Sequence, residues 1–273
     1  MHIPKTRETL SWVPLKLETS ANGQELSIAT GFFYQHNGRS FLITNFHVVS
    51  GRDPNTGSIL HSSGMVPDTL ILYVATSTTD QASPTMVQWK PKQLSLYTGG
   101  DALKPVWTEH PKHGRRFDVV AIPLSGLEET RIKVANAPEL GLEPIRIYPS
   151  MDAFVIGYPR GMSGGGQFPI WKRATIATEP DFDLDGLPRF YIDTATREGM
   201  SGSPVYAQEV GYWLPEGETE FDKASIGKGR RFVGIYSGRF GAEDEFKAQL
   251  GIVWKESALI ELIESVPRDT EES

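Results

Sequence analysis

Ser201 lies in the run Gly199-Met200-Ser201-Gly202-Ser203-Pro204, just before the apolar pair Val205-Tyr206. A nucleophilic serine needs such a setting. Glycine lets the backbone take unusual dihedrals and come close to a ligand. The hydroxyl must be exposed, and backbone N–H groups must converge on the oxygen that gains charge. His47 lies in Leu42-Ile43-Thr44-Asn45-Phe46-His47-Val48-Val49, at the end of an apolar run. Its imidazole titrates near neutrality, which suits a general base. Asp118 opens a second apolar run, Phe117-Asp118-Val119-Val120-Ala121-Ile122-Pro123-Leu124. A carboxylate placed there is partly buried, which is costly unless it is paired. A histidine N–H is its natural partner, and that bond would fix the imidazole tautomer. Alone, each residue has a plainer reading: a Gly/Ser/Pro turn, a structural histidine at a strand end, a strand-capping aspartate. Together, in the order His, Asp, Ser and each beside a strand, they describe nucleophilic acyl transfer.

The elements that must position these residues read as strands. Short runs rich in Val, Ile, Thr, Tyr and Phe alternate with turn residues, the pattern of an all-β chain. Strands are expected at 12–18, 27–34, 39–44, 69–76, 87–97, 119–124, 153–156, 174–177, 189–194, 204–206, 231–236 and 251–254. Asn22-Gly23 and Asn37-Gly38 mark tight hairpins. His47 is thereby expected at a strand end. One amphipathic helix is expected at 255–265, with Leu259, Ile260 and Ile263 on one face. Pro267 stops it, and the acidic tail 267–273 reads as flexible. The stretch 126–141 is ambiguous. Many short strands and one closing helix fit a barrel or a sandwich.

The composition is that of a globular chain. It has 273 residues, of which 39% are hydrophobic, with 27 Gly and 19 Pro spread as punctuation rather than gathered in a linker. The net charge of −7 comes without a basic block, a poor match to nucleic-acid backbones. No apolar run is long enough to cross a bilayer as a helix. Cysteine is absent, which excludes disulfides, a thiol nucleophile and Cys-based metal sites. With no secretory pattern in the first residues, a cytoplasmic location is the expectation.

The motifs TNFHVV, FDVVAIPL and REGMSGSP, in that order, resemble the trypsin/chymotrypsin-like serine peptidases. The resemblance is greatest to their cysteine-free bacterial branch, which includes Deg-type proteases, here without PDZ domains. FVIGYPRG (154–161) is similar to the opening of that family's second barrel, VGIYSG (233–238) to its cleft-lining strand, and GIVWKE (251–256) to its last strand. The resemblance implies two six-stranded antiparallel barrels with a C-terminal helix. The first, 1–137, would carry His47 and Asp118. The second, 138–254, would carry Ser201 and the specificity pocket. The helix would follow at 255–266. It also implies a serine endopeptidase with His47, Asp118 and Ser201 as catalytic triad and an oxyanion hole from the N–H groups of Gly199 and Ser201. Ser237 would hydrogen-bond Asp118, and the strand 236–239 would pair with extended substrate. Ala195, Thr196, Glu198, Gly238, Arg239 and Gly251 would lie in or near the pocket, with Glu198 at its rim. Ala195 at the floor removes the electrostatic basis for Lys or Arg preference. An apolar pocket suits a small or medium apolar side chain, whereas an inward Arg239 would select an acid. Met200 stands where activatable members carry aspartate, so activation by N-terminal cleavage is not expected.

Protein or peptide substrates are the implied partners, with no metal, no cofactor, no nucleic acid and no membrane. The run Asp181-Phe182-Asp183-Leu184-Asp185-Gly186 imitates half of a calcium loop but meets Ile192 where the closing glutamate belongs. An acidic hairpin tip is the plainer reading. His110 and His113 are expected in a solvated loop rather than on zinc. The glycine-rich run 161–166 lacks the ending of a phosphate-binding loop and is expected beside the cleft. The long stretch 51–68 has no assigned role. The competing reading is a non-catalytic trypsin-like module that holds a protein partner in the same cleft.

Overall fold

The structure is a computed structural model, and it describes residues 6–77, 87–99, 103–124, 130–195, 198–239 and 250–268. The first sheet uses β1 (Pro14–Ala21), β2 (Gln24–His36), β3 (Arg39–Thr44), β4 (Thr69–Ser77) and β5 (Val87–Ser95). After the two-residue strands β6 (Tyr97–Thr98) and β7 (Lys104–Pro105), which pair with each other, it ends with β8 (Thr108–Glu109) and β9 (Val120–Pro123). Its order is β5-β4-β1-β2-β3-β9-β8, antiparallel throughout. The second sheet is a closed six-stranded barrel of β10 (Asp152–Gly157), β11 (Ile170–Ile176), β12 (Arg189–Asp193), β13 (Pro204–Trp213), β14 (Ser225–Arg239) and β15 (Leu250–Lys255). Among the described residues, the α-helices are α1 (Phe46–Ser50) and α2 (Glu256–Glu264). Among the described residues, no helix is long and apolar enough to cross a membrane.

Both Asn-Gly pairs form hairpin turns with positive φ on both residues, as type I′ geometry requires. On β2, residues 29–34 are buried without a break, because the strand is covered on both faces. Ala29 and Phe33 enter the core of the first sheet. Phe32 and Tyr34 enter a different cluster, shared with Tyr206, Phe232, Trp254 and α2. β9 does the same, with Val120 and Ile122 on one side and Ala121 on the other. Side chains two apart along a strand share a face. The even-numbered residues of β2 therefore point at the second barrel. That fixes where Thr30 goes.

Several expectations are corrected. His47 is not at a strand end: Phe46–Ser50 is a short helix that stops at Gly51 in the left-handed region. His110 is not solvated. It is 2% exposed, its ring tilted against His113 and edge-on to Phe117, and burial pushes its pKa down. Trp12 does not belong to the first strand but to a 3-10 turn, Thr9–Trp12. In α2 the buried residues are Ala258, Leu259, Leu262 and Ile263, whereas Ile260 is only partly covered. β13 and β14 run well past their expected ends as a long hairpin. In the acidic turn, Asp183 pairs with Lys255 and Asp185 with Arg189.

Candidate active site

β3 leads into Asn45, which precedes α1 without a side-chain cap to it, and α1 turns His47 toward Asp118, two residues before β9. The backbone N–H of His47 donates to Asp118 Oδ1 at 3.0 Å, and Nδ1 meets Asp118 Oδ2 at 2.7 Å. An ionised carboxylate only accepts, so Nδ1 carries the proton and Nε2 keeps its lone pair. Asn45 Nδ2 donates to the Asp118 carbonyl at 2.6 Å. Ser237, from β14 of the other barrel, donates its hydroxyl to Asp118 Oδ2. Asp118 is 3% exposed, so these donors replace the water it lost on burial. Burial alone pushes the His47 pKa down. The charge and hydrogen bond of Asp118, helped by Asp53, outweigh it and hold the pKa above its ordinary value.

Ser201 sits in the loop between β12 and β13, and its side chain is partly exposed. It lines one cleft together with His47 and Gly199. Among the described residues, Ser201 Oγ has no hydrogen-bond partner, His47 included. Such contacts are often long without substrate and tighten in the complex. The backbone around it is tightly held. The Glu198 carbonyl accepts the Arg160 N–H at 2.6 Å, and the Met200 carbonyl accepts the Ser203 N–H at 3.0 Å. In a trans peptide the N–H points opposite the C=O. The N–H groups of Gly199 and Ser201 are thereby turned away from those partners, and neither donates to another described residue. Gly199 has φ +87°, and a Cβ there would stand 2.3 Å from the Tyr158 carbonyl. Only glycine fits.

Of the residues expected to bind substrate, Ser237 and Gly238 fall outside the β14–β15 ladder, whose register shifts between Tyr236 and Arg239. Arg239 pairs with Gly251. Gly251 packs closely on its neighbours: a Cβ there would meet Tyr236 Cε2 at 2.6 Å and Thr194 Cγ2 at 3.1 Å. Ala195 is exposed, and Glu198 is exposed beside Ser201 in the cleft. Thr196 lies outside the described residues. Three residues of the site were given no role from the sequence: Asn45 and Arg160, although they lie within TNFHVV and FVIGYPRG, and Thr30. Thr30 was within reach of pattern reasoning, because it shares a β2 face with Phe32 and Tyr34.

The chain path resembles those of three solved structures. The active form of the Rv3671c protease from M. tuberculosis is 15% identical, with 94% of this chain and 83% of that chain covered and a TM-score of 0.48. The HtrA-type protease AlgW with tripeptide is 14% identical, covering 96% and 63%, with a TM-score of 0.49. The thermostable serine protease AL20 from an extremophilic microorganism is 13% identical, covering 93% and 96%, with a TM-score of 0.45. These likenesses are too distant to speak for individual residues. No curated protein matches the chain. The profile of the trypsin-like peptidase domain, by contrast, matches residues 29–212. That span runs from β2 to β13 and takes in α1, the start of β9 and the loop of Ser201. A sequence match over more than half of the chain, on a cysteine-free all-β fold of this kind, settles the family: the chain belongs to the trypsin-like peptidase domain family.

Proposed function

We propose that the protein is a serine endopeptidase that hydrolyses peptide bonds of protein or peptide substrates through Ser201, His47 and Asp118. The observation that carries this reading is the tie between His47 Nδ1 and the buried Asp118 carboxylate, at the mouth of a cleft that Ser201 also lines. His47 Nε2 takes the proton of Ser201 Oγ as that oxygen bonds to the substrate carbonyl carbon. The carbonyl π pair moves to oxygen, where the N–H groups of Gly199 and Ser201 receive it. One such donor is worth about 3–4 kcal/mol. The C–N bond then breaks, and the leaving nitrogen takes the proton from His47. A water molecule activated by the same imidazole hydrolyses the acyl-enzyme and restores Ser201. Asp118 holds the tautomer and stabilises the imidazolium. Ser237 orients Asp118.

A fluorophosphonate probe tests this. Labelling should map to Ser201 and disappear in His47→Ala. Ser201→Ala should lower kcat by up to about a millionfold. Folded protein that neither takes the probe nor cleaves a peptide library would instead be a binding module on the same fold.

A further inference from the structure

The stretch 51–68, between α1 and β4, is a built wall of the cleft. Leu60 N–H donates to the Gly51 carbonyl and Asp53 N–H to the Ser58 carbonyl, both at 2.9 Å. The Asp53 carboxylate accepts the N–H groups of Asn55 at 2.9 Å and Thr56 at 2.7 Å. Asp68 N–H donates to the Ser20 carbonyl of β1 at 2.9 Å, which fastens the far end. So held, Leu60, Met65 and Pro67 line a cavity of about 630 Å³ together with Ile28 of β2 and Val48 of α1. The same cavity reaches His47 and Ser201. Leu60 is 54% exposed, a large apolar surface left open to water.

Which half of a substrate enters follows from the proton transfers, and so rests on the peptidase reading. The leaving nitrogen must take its proton from His47, so the chain beyond it departs on the His47 side. The cavity borders His47 and Val48. Among the expected acyl-side positions, only Glu198, at the rim, is one of its described lining residues; Ala195 and the positions on β14 and β15 are not. We infer that this cavity seats the leaving-group half of the substrate, and that the 51–68 wall selects a large apolar side chain within the first two residues after the cleaved bond. The charges at its edge are mixed, with Glu25 and Glu198 against Arg160, and set no charge preference. The volume is ample for a bulky side chain with its neighbour.

The experiment is a peptide library randomised on both sides of the cleaved bond, read by sequencing the new N-termini. A chromogenic ester with no residue on its leaving side is run beside it. The wild type should turn over the ester and enrich Leu, Ile, Met or Phe over Ser, Asn and Asp at the first or second new position, by roughly tenfold or more. Leu60→Ser should reduce that enrichment several-fold. The readout is a ratio within one protein, so a loss of folded enzyme does not imitate it, and fluorophosphonate labelling reports the folded fraction. Ester turnover and library cleavage with flat new N-termini would overturn the inference and leave the peptidase reading standing. Neither ester turnover nor labelling would overturn both.

Discussion

The Thr30 hydroxyl donates to the Gly199 carbonyl at 2.8 Å across the boundary between the two sheets. The same hydroxyl accepts the Tyr158 N–H at 3.1 Å, and the Thr30 N–H donates to the Ser201 carbonyl at 2.9 Å. One fully buried residue of β2 thus holds the backbone on both sides of Met200. Thr30→Val keeps the shape and removes the hydroxyl, leaving a buried C=O and a buried N–H unpaired. Each such group costs about 1–3 kcal/mol. The expected result is a lower Tm and a kcat reduced about 10–100-fold with little change in KM, with both restored in Thr30→Ser. An unchanged kcat in the valine variant would show that the Gly199 peptide needs no such hold.

Gly199 tolerates no side chain. Gly199→Ala would drive a methyl toward the Tyr158 carbonyl and put alanine at φ +87°. The peptide between Glu198 and Gly199 must then turn, and its N–H leaves the cleft. A kcat loss of about a hundredfold or more is expected. Full activity in a folded alanine variant would remove that N–H from the mechanism.

The proton on His47 sets the pH dependence. Burial lowers its pKa, but Asp118, with Asp53, raises it further than burial lowers it. The base form is neutral, so kcat/KM should climb with pH through a midpoint above the ordinary value of about 6.5. The fold favours the imidazolium. Its contribution to stability is therefore full below about pH 6.5 and is lost as pH rises through the raised midpoint. In Asp118→Asn the burial remains and the charge goes, so the imidazole midpoint, followed by NMR, should fall. A wild-type midpoint at or below 6.5 would refute this balance.

Glu8 ties the N-terminal segment to the second barrel. Burial pushes its carboxyl up. Hydrogen bonds and charge from Arg230, joined by Lys228, overcome that and hold it down at about 2. A depressed carboxyl stabilises the fold above its unfolded value and loses that effect as pH falls toward about 2. Arg230 is 5% exposed, so Glu8→Gln leaves a buried guanidinium poorly paired. Chemical denaturation should show a loss of about 1–2 kcal/mol at pH 7, shrinking as the wild type is acidified. Equal stability at pH 7 would make the pair a surface ornament.

Much of the fold was legible because half-buried strands repeat every two residues and Asn-Gly marks their turns. The hairpins 14–36 and 24–44 and the closing helix follow from that pattern. The β13–β14 extension was not, since Val210, Tyr212 and Ile226 stand exposed there and no burial pattern marks the ends. The helix of His47 was hidden as well. Val48 and Val49 favour strands by type, and the turn is imposed by Asn45 before it, Gly51 after it and the carboxylate of Asp118 that its N–H must reach. His110 was misread because a Pro-Lys neighbourhood suggests a surface loop, whereas Phe117 and α2 cover it.

By itself, the sequence determined the order of the chemistry-bearing residues, the all-β class and the family. Spacing along a strand settles which face a residue is on, but not what stands opposite. The tertiary structure alone decided that Thr30 meets Gly199 and that 51–68 walls the cleft, whereas the contact of Ser237 with Asp118 was already implied by the family resemblance. Those partners come from other parts of the chain, and only the packing of the two sheets on a shared core brings them within hydrogen-bonding reach.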